Sequence, residues 1–292
     1  MKHGIYYAYW EHEWAADYGK YVDKAAKLGF DVLEIGCAPV ADYTQAQAAE
    51  LRKRAEDNHI ILSGGYGPTA EHNISAKDQC VRDGAVEWYK KLFENMGRLD
   101  MHMLCGAIYS YWPVDFTKCD PKPEEWKRSV EGINILADLA APYGINLGME
   151  TINRFENYLL NTAEECIAFV KEVDKPNVKV HLDTFHMNIE EDDMCAAIRA
   201  AGPLLGHLHT GEANRRAPGH GGRIPWFEIG QALKDIRYDG MVVMEPFVLM
   251  GGQVGQDIKI WRDLSRGATM EELDRDAAEA VAFQRIMLDW DK

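Results

Sequence analysis

Ionisable residues stand where four apolar segments in the second half of the chain end. Glu150 closes INLGME, Asp183 closes VKVHLD, His209 closes LGHLH and Glu245 closes MVVME. An unpaired carboxylate in a buried segment costs several kcal/mol, so folding alone does not favour these positions. Three carboxylates brought together would repel one another unless a cation lay between them. The pattern therefore predicts a site for a divalent metal ion.

The donor types narrow the choice of metal. Three oxygen ligands and one nitrogen suit Mn²⁺, Co²⁺ or Mg²⁺ better than structural zinc, which favours sulfur and histidine. For any one of these residues, a hydrogen-bonded core group or a strand-end cap is an equally good interpretation. Four consecutive segments that end in this way favour the metal.

Two further histidines have the same strand parity as the candidate ligands: His181 matches Asp183, and His207 matches His209. Each of them either orients a metal ligand or packs as a core histidine.

Eight short apolar runs that alternate with amphipathic stretches must position these residues. We predict strands at about 3–10, 31–36, 60–66, 101–109, 145–151, 178–186, 205–211 and 240–247. A helical pattern follows each run, with Gly29, Thr44 and Asn58 as caps, Pro225 in a first turn, and helices at about 78–98 and 270–290. The acidic run at 190–193 suits a helix N-terminus.

Alternating strands and helices predict a parallel sheet, and eight units predict closure into a single-domain (β/α)8 TIM barrel over residues 1–292. A doubly wound open sheet is the alternative, but no GxGxxG motif opens a helix after the first strand. In a closed barrel the carboxyl ends of the strands lie at one rim, so the four ionisable residues converge there.

Composition argues against nucleic acid and membranes as partners. The chain has 47 acidic and 32 basic residues, a net charge of −15, which repels phosphate backbones and argues against nucleic acid. The six cysteines are scattered without a CxxC motif, the N-terminus does not resemble a signal peptide, and no apolar run is long enough for a membrane span. We therefore expect a cytoplasmic protein with reduced thiols and no membrane partner.

A metal site of this kind suits sugar chemistry. A divalent ion that binds a carbonyl and the adjacent hydroxyl acidifies the proton on the carbon between them, and a nearby carboxylate can remove it to give an enediolate. Return of the proton to the neighbouring carbon makes an aldose–ketose isomerase. Return by a second carboxylate to the opposite face of the same carbon makes an epimerase. Glu150 and Glu245, on the fifth and eighth strands, could flank a substrate, but spacing alone leaves both reactions open.

Other residues at the strand ends fit a polyol pocket. Polar candidates just beyond strands 5, 6 and 7 are Glu156, His186 and Arg215, and candidate aromatic walls are Tyr6, Trp14, Trp112 and Phe247. Each aromatic residue, taken singly, is equally well explained by core or loop packing.

At these residues the chain resembles the D-tagatose 3-epimerase and D-psicose (allulose) 3-epimerase family, relatives of xylose isomerase. The resemblance covers essentially the whole chain, and its specific motifs are YSYWPVD (109–115), ETINRFENYLLNTAEE (150–165), LDTFHMNIEED (182–192), GHLHTGEANRR (206–216), GRIPW (222–226) and VMEPFV (243–248).

The resemblance implies a Mn²⁺ or Co²⁺ enzyme that interconverts ketohexoses at C3, D-fructose with D-psicose or D-tagatose with D-sorbose. It implies metal ligation by Glu150, Asp183, His209 and Glu245, with the two glutamates as the acid–base pair. Substrate contacts are implied for Glu156, His186, Arg215, Trp112 and Tyr6, and pocket positions that vary within the family for Gly65 and Ala107. It also implies a homodimer or homotetramer without a nucleotide cofactor.

The loop at 217–223 looks one residue longer than the family pattern, which we expect to affect the rim or the assembly rather than the ligands. Three alternatives to the epimerase stay open at this point. An aldose–ketose isomerase would yield an aldehyde product. A metal-dependent phosphodiesterase would need more histidines and a basic cleft. A non-catalytic sugar-binding barrel would not need two glutamates held at a metal.

Overall fold

Eight parallel strands form a closed barrel across residues 1–290, the part of the chain that this computed structural model describes. The strands are Lys2–Tyr6 (β1), Val32–Gly36 (β2), Ile61–Gly65 (β3), Met103–Gly106 (β4), Asn146–Glu150 (β5), Val178–Asp183 (β6), Leu205–Thr210 (β7) and Met241–Met244 (β8). Each strand pairs with the next, and β8 pairs with β1. The predicted TIM barrel is therefore confirmed, and the alternative of a doubly wound open sheet is wrong. Residues 291 and 292 of the predicted domain lie outside the described part.

Ten α-helices surround the barrel within the described residues. They are Tyr18–Leu28 (α1), Gln45–Asp57 (α2), Gln79–Arg98 (α3), Lys122–Ala140 (α4), Ala163–Val173 (α5), Thr184–Glu190 (α6), Met194–Ala201 (α7), Trp226–Asp235 (α8), Gly252–Asp257 (α9) and Met270–Leu288 (α10). Two of them, α6 and α9, were not predicted from the sequence. The predicted strand at 178–186 stops at Asp183 because that carboxylate accepts the backbone N–H of Phe185 at 2.7 Å and caps α6.

The predicted caps lie where the sequence placed them, with one exception. Gly29 ends α1 with φ of 89°, a left-handed conformation that favours glycine, and Thr44 begins α2 in a capping box with Gln47. Asn58 follows the last residue of α2. Pro225, which was expected in the first turn of α8, instead occupies the position just before that helix.

The first and last predicted strands are shorter in the structure, whereas the acidic run lies at a helix start as predicted. The first strand ends at Tyr6, and a 3₁₀ turn, Tyr7–Trp10, completes the apolar run. The last strand covers only Met241–Met244 of the predicted 240–247. The acidic run at 190–193 supplies Asp193, whose side chain accepts two backbone N–H groups at the start of α7, as predicted for a helix N-terminus.

Strand parity divides β6 and β7 into an outer apolar face and an inner polar face. Leu182 and Leu208 are fully buried core residues of the apolar face. The rings of His181 and His207, also fully buried, lie 4.9 Å apart inside the barrel. From His181 on β6 and from His207 on β7, the odd positions face the barrel axis and the even positions face the helices, whereas a register shift before them changes the parity.

Two further observations concern membrane-spanning helices and the state of the cysteines. Of the helices that the structure describes, none combines the length and the apolar character that crossing a membrane requires. All six cysteines are free thiols, four of them buried.

Candidate active site

The four predicted metal ligands meet at the carboxyl-terminal rim of the barrel. Glu150 and Asp183 are the last residues of β5 and β6, His209 lies one residue before the end of β7, and Glu245 directly follows β8. The backbone N–H of Glu245 donates to the carbonyl of Thr210 at 2.9 Å, which continues the strand ladder by one residue. One ligand atom from each of the four side chains lies within 4.8 Å of the others. Four distant sequence positions thus form one cluster.

Burial disfavours the ionised form of the carboxyl groups in this cluster and so raises their pKa values. Burial raises the pKa of Glu245 to about 8, while the charges of His209 and Arg215 lower it and those of Glu150 and Asp183 raise it by smaller amounts. The pKa values of Glu150 and Asp183 are raised as well, again chiefly by burial. A bound cation would offset the mutual repulsion of these carboxylates.

Two buried atoms of the cluster have no hydrogen-bond partner among the described residues, Asp183 Oδ2 and His209 Nδ1. His209 Nδ1 lies 3.5 Å from Glu150 Oε1 and 3.8 Å from Glu245 Oε1. Buried polar atoms are rarely left unsatisfied, and a cation shared by the four side chains would satisfy both. Three carboxylates and one imidazole are also a donor set that divalent ions accept. These residues therefore fit a divalent metal ion.

Glu34, on β2, completes the buried side of the cluster and was not predicted. Its Oε1 lies 2.6 Å from His209 Nε2. Burial would raise the pKa of Glu34, but the imidazoles of His209 and His207 outweigh burial and hold the pKa well below its usual range. The signal in the sequence was present: a glutamate at the centre of the apolar run VLEIG shows the same anomaly as Asp183.

The two histidines considered as orienting groups do not contact the ligands by hydrogen bonds within the described residues. His207 Nε2 lies 3.0 Å from Glu34 Oε2. The His181 ring packs edge-on against the His209 ring, with their centroids 4.1 Å apart. His207 therefore contacts Glu34 rather than a predicted metal ligand, and His181 packs against the imidazole ring of His209.

A cavity of about 310 Å³ opens above the cluster, a size at the small end of ligand pockets. Its wall includes all nine residues predicted to contact a substrate: Tyr6, Trp14, Gly65, Ala107, Trp112, Glu156, His186, Arg215 and Phe247. Glu150, His209 and Glu245 also line it. Further wall residues, Tyr66, Ile152, Asp257 and Ile258, were not predicted, the last two because α9 and its end were not recognised as an element.

Arg215 is the cation of the cavity wall. Its Nη1 lies 3.2 Å from Glu245 Oε2 and 3.6 Å from Asp183 Oδ2, and its Nη2 lies 3.5 Å from Glu156 Oε1. The guanidinium also stacks over the Phe185 ring at 3.8 Å. Arg215 adopts φ of 66°, a conformation that costs free energy for a residue other than glycine and that is often retained at functional sites.

Asn153, which was not predicted, links two of the predicted polar residues. Its backbone N–H donates to His186 Nδ1 at 3.1 Å, so Nδ1 is the acceptor and Nε2 carries the ring proton. Its side-chain amide donates to Glu156 Oε1 at 2.9 Å, and the Trp112 ring N–H donates to Glu156 Oε2 at 3.2 Å. Burial, followed by the charges of Arg215 and His209, lowers the pKa of His186. His186 is therefore a neutral hydrogen-bond donor at the cavity wall.

Aromatic rings form the apolar side of the cavity. The Trp14 ring lies edge-on to Trp112 at 6.2 Å and to Phe247 at 6.3 Å, and Tyr6 lies edge-on to Phe247 at 6.1 Å. Beside Tyr6 the wall has no side chain at Gly65, where a Cβ would lie 3.1 Å from the Tyr6 ring. The cavity therefore combines one apolar face with convergent polar groups, as carbohydrate sites do.

The loop at 217–223 lies away from the ligands and outside the cavity wall. Its Gly219 N–H donates to the buried carboxylate of Glu212 at 2.8 Å, and the ring N–H of Trp226 donates to the same oxygen at 3.0 Å. A Cβ at Gly219 would lie 2.9 Å from the Phe283 ring of α10. The loop thus folds around Glu212 and packs on the last helix.

Comparison with known proteins agrees with this geometry. Residues 22–264 match the model of the xylose isomerase-like TIM barrel family. A D-psicose 3-epimerase of Agrobacterium fabrum is 55% identical over 288 residues, 99% of each chain. A D-psicose 3-epimerase from Clostridium cellulolyticum, solved with D-tagatose, is 56% identical, with a TM-score of 0.97 over 99% of each chain. A D-psicose 3-epimerase solved in the presence of D-fructose is 55% identical, with a TM-score of 0.97 over 99% of each chain. The chain therefore belongs to the D-psicose 3-epimerase family of xylose isomerase-like TIM barrels.

Proposed function

We propose that this protein is a metal-dependent ketose 3-epimerase that inverts C3 of ketohexoses, interconverting D-fructose with D-psicose and D-tagatose with D-sorbose. The observation that carries the proposal is the pair Glu150 and Glu245, two carboxyls that both line the cavity and approach the same ring nitrogen of His209 from β5 and from the end of β8. The high identity to epimerases over the whole chain supports the same reaction.

The two glutamates supply the proton transfers. One of them, as a carboxylate, removes the proton from C3, and the other, as a carboxylic acid, returns a proton to the opposite face. The carbon loses one proton and gains one, so its configuration inverts while the charge and oxidation state of the sugar are unchanged.

The cation would be held by Glu150, Asp183, His209 and Glu245, whose ligand atoms cluster within 4.8 Å. When bound, it would polarise the ketose carbonyl and stabilise the negative charge that develops on its oxygen. Mn²⁺ or Co²⁺ is the proposed ion, with Mg²⁺ as the further candidate, because three oxygen donors and one nitrogen suit these ions.

The other wall residues would position the sugar. Arg215 and the Nε2–H of His186 donate hydrogen bonds to hydroxyl oxygens, and Glu156 accepts one. Trp112 would cover the sugar beside Glu156, to which its ring N–H donates. Tyr6, Trp14 and Phe247 supply the remaining apolar face, and the small side chains of Gly65 and Ala107 leave room for the far end of the hexose.

Assembly as a homodimer or homotetramer is part of the proposal. A second depression beside the cavity is lined by three exposed aromatic residues. Their exposed fractions are 48% for Phe116, 73% for Phe155 and 70% for Trp261. Exposed apolar groups that lie together favour burial against a second copy of the chain. Light scattering after size-exclusion chromatography would test this assembly. A cytoplasmic location, supported by the free thiols, is proposed with it.

Proton NMR in D₂O would test the reaction. Metal-stripped protein reconstituted with Mn²⁺ would be incubated separately with D-fructose, D-psicose and D-tagatose. We expect the C3 epimer to appear, with deuterium entering only at C3. Deuterium at C1 together with an aldose would make the protein an aldose–ketose isomerase instead. Absence of exchange with every ketose would refute the proposed function while leaving the metal site intact.

Single variants would test the two-base mechanism. Glu150→Gln and Glu245→Gln should each abolish epimerisation, because one face of C3 then lacks a proton donor or acceptor. Each should also weaken metal binding, so metal content must be measured in parallel. The matched control is Glu87→Gln in α3, where the side chain is 69% exposed and pairs only at the surface with Lys90. Full epimerisation by either site variant would exclude its role.

A further inference from the structure

A fourth carboxylate, that of Glu34, lies on the buried side of the ligand cluster. It is fully buried on β2, and it is outside the set of side chains that approach the cation site. Its Oε1 lies 2.6 Å from His209 Nε2. The two residues are 175 positions apart in the chain and meet across the barrel interior. A buried carboxylate in this position needs a structural or functional reason.

Glu34 Oε2 accepts two hydrogen bonds, from Ser63 Oγ at 2.9 Å and from Cys105 Sγ at 3.5 Å. His207 Nε2 lies 3.0 Å from the same oxygen, a close contact of ion-pair type without hydrogen-bond geometry. A carboxylate offers about four lone-pair sites and no proton, so this set of donors satisfies it. The Nε2 of His209 must therefore carry a proton toward Glu34.

The opposite nitrogen of the His209 ring faces the cation site. Nδ1 lies 3.5 Å from Glu150 Oε1 and has no hydrogen-bond partner among the described residues. With Nε2 protonated, the neutral ring has its lone pair on Nδ1, and only that tautomer can ligate a cation there. A rotated ring, or a ring protonated on Nδ1, would not bind it.

We propose that Glu34 is a positioning residue that holds His209 in the orientation and tautomer in which Nδ1 is offered to the divalent cation. The proposal rests on the metal site of the proposed function. It extends that function to a residue that touches neither the substrate nor the cation. A carboxylate behind a metal-ligating histidine fixes its ring and increases its basicity.

Glu34→Gln tests the role with the smallest change of shape. The amide keeps one oxygen acceptor but presents an NH₂ group to at least one of the surrounding donors. It also loses the charge that favours a proton on Nε2. We expect the dissociation constant for Mn²⁺, measured by the EPR signal of free Mn²⁺ at constant pH and without sugar, to rise about 10- to 100-fold. Excess Mn²⁺ should restore most of kcat.

Ser63→Ala is the matched control. It removes one donor to Glu34 at 2.9 Å but leaves the contact between Glu34 and His209. Its Mn²⁺ affinity should stay within about threefold of the native value, since the histidine keeps its partner. Thermal unfolding of both variants without metal would show whether each is folded before titration. Unchanged Mn²⁺ affinity in folded Glu34→Gln would overturn the proposal.

A measurement on the native protein covers the case in which Glu34→Gln does not fold. Nitrogen-15 NMR of the Mg²⁺-loaded protein should show His209 protonated on Nε2 and unprotonated on Nδ1, and the reverse pattern would overturn the proposal. Failure of the native protein to bind Mn²⁺ at all would remove both the metal site and the role of Glu34. Tight native binding with an unaffected Glu34→Gln variant would remove only the role of Glu34.

Discussion

Metal affinity should depend steeply on pH because protons and the cation compete for the same carboxyls. Burial raises the pKa of Glu245 to about 8 in the metal-free protein, and the charged groups that face it are His209, Glu150, Arg215 and Asp183. Two pH units below that value, at about pH 6, only about one carboxyl in a hundred is ionised. The apparent dissociation constant for Mn²⁺ should therefore be about 100-fold weaker at pH 6 than above pH 8.

The effect on stability has a defined sign. A carboxyl whose pKa is raised on folding stabilises the folded state fully below about 4.5, its usual value, and this contribution is lost as the pH rises to about 8. The metal-free protein should thus lose this contribution across that window, whereas the metal-loaded protein should not. Histidines with lowered pKa values, such as His181 and His186, act in the opposite sense in both forms. The difference in melting temperature between the metal-free and metal-loaded forms therefore reports the contribution of the carboxyls at the metal site.

Isothermal titration calorimetry with Mn²⁺ would measure both affinity and proton release. Titrations at pH 6.5 in two buffers of different ionisation enthalpy should show at least about one proton released per ion bound. The affinity should rise about tenfold per pH unit for each proton displaced. Glu245→Gln should lower the number of protons released, while the surface variant Glu87→Gln should not. A flat affinity from pH 6 to pH 8, without proton release, would refute the burial argument.

Four further single substitutions have expected outcomes. At about pH 9, where the Glu245 carboxyl is ionised, Arg215→Met should destabilise the metal-free protein by about 3–5 kcal/mol in urea unfolding, because the carboxylates around it lose their cation; a change below about 1 kcal/mol would contradict this. Gly106→Ala should cost at least about 3 kcal/mol, since a Cβ at φ of 120° would lie 2.3 Å from a backbone oxygen. Gly84→Ala, at an open exposed helical position, should instead stabilise by about 0.5–1 kcal/mol, and both changes are measured by the same unfolding assay. Trp112→Phe should raise KM about threefold to tenfold with a smaller change in kcat, because Glu156 loses its indole donor; an unchanged KM would count against this contact.

Sequence patterns predicted the part of the fold that depends on local periodicity. Alternating strand and helix patterns gave eight units, and caps such as Gly29 and Thr44 depend on side chains within a few residues. Helix α6 was missed because it is seven residues long and starts directly after a strand, so no loop or change of composition separates the two. Short helices are set mainly by packing rather than by propensity.

The sequence by itself determined which residues reach the active rim. A barrel strand places its last residues at the carboxyl-terminal edge, so Glu150, Asp183, His209 and Glu245 could be grouped without coordinates. Only the tertiary structure decided how they are held. The Nε2 atom of His209 contacts Glu34, which lies five strands earlier in the chain, at 2.6 Å, and this contact leaves Nδ1 facing the other three side chains of the cluster. Such a contact follows from closure of the barrel, and local sequence carries no signal of which distant side chains will share its interior.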